Sequence, residues 1–138
     1  MSVIQGRVLV EGSAAGAALT STEPLSFWGG YDQFTGEVID RRHPLSGADA
    51  VGTVLVLPAS RGSSTTAAVL LEAIRRENAP AVIITRGTDR FLTLAAIVAH
   101  EMYDRTIGIV SVDADGFEQL LGAGQLEVTP DGQITRPD

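Results

Sequence analysis

Thr53-Val54-Leu55-Val56-Leu57-Pro58-Ala59-Ser60-Arg61-Gly62-Ser63-Ser64-Thr65-Thr66 decides how the rest of the chain is read. Its opening residues are an unbroken apolar run, the pattern of a strand covered on both faces. Pro58 stops that strand, and the small, polar residues 59–66 carry the chain into a helix. There Ala67, Leu70, Leu71 and Ile74 recur at i, i+3, i+4 and i+7, while Glu72, Arg75, Arg76 and Glu77 fall on the watery side. Glu72 and Arg76, four apart, support that face. Asn78 and Pro80 end the helix.

Downstream the same rhythm returns. Ala81–Thr85 reads as a second buried strand, and Thr88 or Asp89 is placed to cap a second helix. Phe91, Leu94, Ala95, Val98 and Met102 are its expected inner face. Ile107–Val112 reads as a third strand, Asp113–Leu121 as a short helix, and Gln125–Thr129 and Gln133–Thr135 as closing strand pieces. Strand–helix–strand–helix–strand implies a parallel sheet. Upstream the pattern is different. Ile4–Glu11 alternates like a half-buried strand, residues 12–16 read as a turn, and Ala17–Thr20 as a returning strand. From there to residue 52, paired glycines and turn residues suggest β-hairpins and irregular loops. The expected architecture is α/β, a β-rich N-terminal half packed on a parallel-sheet half.

The chain's 138 residues fit one domain, 1–138, and no repeat or linker divides them. Ten basic residues, every one arginine, stand against 17 acidic ones, a net charge of −7. Nucleic-acid binding needs a basic stripe, so that class of partner is excluded. With no cysteine there is no disulfide, no thiolate nucleophile and no cysteine-held metal or iron–sulfur cluster on this chain alone. No apolar stretch approaches the ~20 residues of a membrane span, and the N-terminus lacks the apolar centre of a signal peptide. A cytoplasmic location without membrane contact is the expectation.

Residues 60–66 are the place for chemistry. The loop leaves the carboxyl end of a buried strand, where open α/β folds bind ligands. Gly62 lets backbone approach a ligand closely. Ser63 and Ser64 fall where free N–H groups and the helix dipole favour a carboxylate, a phosphate or a serine alkoxide. Arg61 adds a guanidinium able to fork a carboxylate. A serine just before a helix is most often an N-cap worth about 1 kcal/mol, and spacing alone favours that use.

Familiar motifs are absent. There is no GxxxxGK, GxGxxG or GxSxG. The histidines offer Ser63 no evident partner: His43 sits in a turn before Pro44, and His100 lies late in a helix as a solvated residue. Asp113 and Asp115 have the look of metal ligands but suit a helix start as well. Arg41-Arg42-His43 reads first as a solvated turn and otherwise as an anion or subunit contact.

Gly6-Arg7-Val8, Glu23-Pro24-Leu25-Ser26-Phe27-Trp28-Gly29-Gly30-Tyr31-Asp32, Thr35-Gly36-Glu37-Val38-Ile39-Asp40 and Arg61-Gly62-Ser63-Ser64 occur here in that order. This succession resembles the small subunit of the aconitase X dehydratases, over roughly residues 3 to 135. The resemblance implies a swivelling β/β/α domain similar to the aconitase C-terminal domain. It also implies a cysteine-containing large subunit that carries an iron–sulfur cluster or iron, with no cofactor or metal on this chain alone. The expected reaction is loss of water from a small hydroxy acid. The family's catalytic serine follows a basic-residue–glycine pair, which matches Ser63. Arg61, Gly62 and Ser64 then line the substrate's carboxylate side.

Within the family two substrates compete, cis-3-hydroxy-L-proline and phosphomevalonate. The second needs a phosphate site as well as a carboxylate clamp. With no lysine and one arginine in the loop, hydroxyproline is the expected substrate. A non-enzymatic small-anion module is the alternative from another class; a phosphohistidine carrier is excluded because residues 61–66 lack histidine.

Overall fold

The computed structural model describes residues 2–137. The N-terminal half contributes β1 (Ser2–Gln5), β2 (Arg7–Val10), β3 (Ala14–Thr20) and a broken helical turn, α1 (Phe27–Gly30). Then follow β4 (Val54–Leu57), α2 (Ser64–Arg75), β5 (Val82–Arg86), α3 (Arg90–Tyr103), β6 (Gly108–Val112), α4 (Ala114–Leu120), β7 (Gln125–Val128) and β8 (Gln133–Arg136). The strands order as β1-β8-β7-β3-β4-β5-β6-β2. β3, β4, β5 and β6 run parallel, as the alternation of strands and helices requires of the last three. The antiparallel pairs β1–β8, β7–β8, β3–β7 and β2–β6 complete the sheet.

The two ends of that order, β1 and β2, are separated in the chain only by Gly6, so the sheet is nearly closed on itself. Gly6 donates its N–H to Gly132 O at 2.8 Å as the backbone changes partner from β8 to β6. A methyl group at Gly6 would stand 2.4 Å from Val110 Cγ1.

Alternation along the central strands divides the core in two. Leu55, Leu57, Ile83 and Ile109 pack on one face with Leu70, Ala73 and Ile74 of α2 and Leu92, Ala95, Ala96 and Ala99 of α3. Val54, Val56, Val82, Ile84 and Val110 point to the other face, toward Phe117 and Leu120 of α4 and Leu126, Val128 and Ile134. The result is a mixed α/β fold in which α2 and α3 cover one face, and α4 with the curled antiparallel strands closes over the other. No helix among the described residues is long and apolar enough to cross a membrane.

Three local expectations need correction. β3 begins at Ala14, inside the stretch read as a turn. Ala14–Gly16 carry no apolar alternation, yet they pair with Val128–Leu126. Residues 21–53 form no regular strand, and only a short antiparallel reversal at Tyr31 and Val38 stands for the expected hairpins; further isolated bridges join Leu25 to Ser60 and Glu37 to Asp49. The α3 face is rotated: Leu92, Ala95, Ala96 and Ala99 are buried, whereas Leu94 and Met102 are exposed.

The irregular stretch is nevertheless anchored. Phe27 and Tyr31 are buried with ring centroids 5.2 Å apart, and Tyr31 donates its hydroxyl to Asn78 O at 2.6 Å. Burial, and secondarily the Asp49 carboxylate, push the Tyr31 phenol far above its ordinary range, so it remains a donor.

Candidate active site

The loop from Pro58 to Ser63 leaves the carboxyl end of β4 and is fixed from three directions. Leu25 O accepts the Arg61 N–H at 3.0 Å, which lays residues 25–26 beside the loop. Asp89 accepts both the Ser60 N–H and the Ser60 hydroxyl on Oδ2, each at 2.7 Å. Its other oxygen caps α3 by accepting from Phe91 and Leu92. From inside, buried Thr66 donates its hydroxyl to Arg61 O at 2.9 Å.

Gly62 sits at φ +113°, where a side chain is strained. A Cβ there would also stand 2.9 Å from Thr66 Oγ1. The turn is tight enough to need glycine, and it delivers Ser63 to the N-cap position of α2. Ser63 makes no side-chain cap bond, so the residue occupies the capping position without using its hydroxyl for it. Ser63 and Ser64 are both exposed. At a helix start, uncapped N–H groups and the dipole favour negative charge.

Beside this loop lies a polar cleft of about 420 Å³, whose wall includes Arg61 together with Glu23, Asp40, Arg42 and His43. Of the residues expected at the site, Arg61 alone lines this cleft. Gly62, Ser63 and Ser64 stand next to it at the helix start. An apolar hollow near Val51, Ile74 and Ile107 lies at the opposite end of the parallel strands, away from this chemistry.

Arg41-Arg42-His43 separates into three roles. Arg41 turns to Glu37, 3.6 Å away, and to Ser46. Arg42 faces the cleft. His43 is buried; its Nδ1 accepts the Leu45 N–H at 3.1 Å, so Nε2 is left as the donor to Glu23 O at 3.2 Å. Glu23 and Asp40 had no signal in the periodicity. They appear only as the outer residues of the two quoted motifs.

Elsewhere, Asp113 caps α4 by accepting from Gly116 N at 2.7 Å, and His100 is exposed on α3. Asp115 lies in the first turn of α4, bonded to Gln119. Among the described residues no three His, Cys, Asp or Glu side chains are grouped to hold a metal ion, and the chain has no cysteine. The residues present therefore do not fit an iron–sulfur cluster.

The chain matches the family model described as Aconitase X swivel domain over residues 3–136. It is 44% identical over 136 residues to the cis-3-hydroxy-L-proline dehydratase of Pseudomonas aeruginosa, covering 94% of this chain and 23% of that protein. It is 41% identical to the phosphomevalonate dehydratase small subunit of Methanothermobacter thermautotrophicus, covering 84% of this chain and 82% of the relative. Among solved structures, Thermococcus kodakaraensis aconitase X (holo-form) superposes with a TM-score of 0.84 at 29% identity, over the full length of both chains. The chain thus spans less than a quarter of the hydroxyproline dehydratases it matches. From the family match across residues 3–136 and the shared architecture, this chain belongs to the aconitase X swivel domain family.

Proposed function

We propose that this chain is the swivelling small subunit of an aconitase X-type hydro-lyase, one unit that closes over a larger cysteine-bearing subunit. Its substrate in this reading is cis-3-hydroxy-L-proline, dehydrated to Δ1-pyrroline-2-carboxylate. The observation that carries the proposal is Ser63, an exposed serine at the start of α2 whose hydroxyl does not cap the helix, two residues from the cleft-lining Arg61. The names of relatives at 41–44% identity, which are dehydratases, support the reaction class.

Ser63, as the alkoxide, takes the proton from the carbon next to the substrate carboxylate. The electron pair left behind forms the new double bond as hydroxide departs from the neighbouring carbon, and the enamine product rearranges to the ring imine. Helix-terminal N–H groups and a fixed positive charge lower the cost of the alkoxide once water is excluded. Arg61 forks the substrate carboxylate and stabilises the charge that grows on it as the proton leaves. Gly62 and Ser64 let backbone and hydroxyl close around that carboxylate. Iron, or an iron–sulfur cluster, is assigned to the large subunit, because the described residues hold no ligand set for it and the chain has no cysteine.

A second reading, phosphomevalonate as substrate, is favoured by one observation: relatives of that name are matched over 82% and 98% of their own length, at 41% and 32% identity. Product analysis of the reconstituted pair with each acid separates the two. For the base itself, Ser63→Ala in the assembled enzyme is expected to lower kcat about 10²- to 10⁴-fold, the usual contribution of a positioned base. Its folding and assembly, followed by circular dichroism and gel filtration, should be unchanged. Turnover at the normal rate in that variant overturns the assignment. Tight anion binding by the isolated chain, with no activity in any complex, would instead favour a small-anion module.

A further inference from the structure

The cleft beside Arg61 carries both signs of charge. Arg42 and Arg61 share its wall with Glu23 and Asp40, which arrive from three separate stretches of chain. Opposite charges brought into one hollow ordinarily pair. Here the ion pairs among the described residues lie elsewhere, joining Arg41 to Glu37, Arg75 and Arg76 to Glu72, and Arg105 to Glu77. The framework holds the cleft's charges apart. Buried His43 donates to Glu23 O and accepts from Leu45 N, which pins the backbone of Glu23 to the turn carrying Arg42. Asp40 Oδ1 accepts the Arg42 N–H at 3.0 Å, which commits part of that carboxylate to the turn. Exposed Glu23 and the two exposed arginines, none of them in an ion pair among the described residues, are left lining a hollow large enough for a small amino acid.

Two cations and two anions give this wall no net charge. A ligand bearing both a carboxylate and a phosphate would meet two carboxylates as well as the two guanidiniums, which weakens its hold on this wall. A zwitterion meets complementary charge at both ends. We infer that Glu23 is a specificity-determining residue that takes the ammonium group of an amino-acid substrate, while Arg61, with Arg42, takes its carboxylate. This assignment rests on the dehydratase reading above and names the substrate class of the same site.

The test uses the assembled two-subunit enzyme and two competitive ligands of equal shape, L-proline and its nitrogen-free analogue tetrahydrofuran-2-carboxylate. Glu23→Gln keeps size and hydrogen-bonding capacity and removes the charge. A lost charge-assisted contact is expected to weaken L-proline about 10- to 100-fold and to leave the ring-oxygen analogue within about twofold. Arg61→Gln should weaken both ligands alike. Equal effects of Glu23→Gln on the two ligands, or no effect on either, overturn the inference. If the complex dehydrates a hydroxy acid but binds neither L-proline nor hydroxyproline, the ammonium subsite falls and the dehydratase reading stands. If it dehydrates neither acid, yet Glu23→Gln still selectively weakens L-proline, the reverse holds.

Discussion

Asp89 shows how one carboxylate ties two parts of the site together. One oxygen receives the first free N–H groups of α3, and the other receives both donors of half-buried Ser60, 29 residues earlier in the chain. Asp89→Ala should lose a cap worth about 1 kcal/mol and strand the Ser60 N–H, at the lower end of about 1–3 kcal/mol. Asp89→Asn keeps a cap acceptor but turns an amide N–H₂ toward the Ser60 donor. We therefore expect Asp89→Asn to unfold thermally closer to the wild type than Asp89→Ala does, while both lose turnover similarly in the assembled enzyme. Equal melting temperatures for the two variants would show that the Ser60 contact, not the cap, dominates. The capping half of this arrangement was legible, since Thr88-Asp89 precedes an apolar-periodic run. The Ser60 contact was not, because nothing local to residue 60 or 89 encodes their meeting. The same holds for Glu23 and Asp40, which reach the cleft only through the path of an irregular segment.

The helices separate what periodicity reveals from what it hides. In α2 the charged face is as the spacing implies: Glu72 receives Arg76 Nε at 2.7 Å and also pairs with Arg75. The Arg75 hydrogen bond first, and the Arg76 bond second, lower the Glu72 carboxyl from 4.5 to about 2. A depressed carboxyl stabilises the fold above its unfolded value, and that contribution fades as pH falls from 4.5 toward 2. Glu72→Gln should consequently flatten the acid limb of the stability curve in that window at low salt, measured by urea unfolding at successive pH values. The effect is small and screened, since the pair faces water. A steeper acid limb in the variant would contradict the pairing. In α3 the large residues misled the reading. Its apolar side chains run nearly all round the helix, and the face that packs is the one with Ala95, Ala96 and Ala99, whose small side chains admit α2 with its own Ala73. Leu94, Ile97 and Met102 are left outside. Residue size, rather than hydrophobicity, chose the face, and a hydropathy pattern carries no information about size.

At the scale of the whole molecule the decisive feature is the seam where β2 meets β6. Glycines stand on both sides of β2 in the chain, and a methyl group fits at neither. At Gly12 the added carbon would stand 2.5 Å from Gly108 N and 2.6 Å from Gly108 Cα, both backbone; at Gly6 the nearest atom is a Val110 side-chain methyl. Overpacking of this kind costs about 1–3 kcal/mol, and backbone yields less readily than a side chain. Gly12→Ala is expected to melt below Gly6→Ala, and both below the wild type, in scanning calorimetry; the reverse order would place the strain elsewhere. The parallel half of the sheet was readable because each of its strands is a local run of apolar residues. The closure was not, since it depends on pairing β1 with β8 and β2 with β6 across nearly the whole length of the chain. That pairing sets Ser2 opposite Arg136. Both ends of the described polypeptide consequently lie on one rim, so a covalent tether to either would start from the same side. Tethered and free-standing versions of this unit can then offer an identical working surface, which accords with its kinship both to short separate subunits and to a small fraction of much longer enzymes.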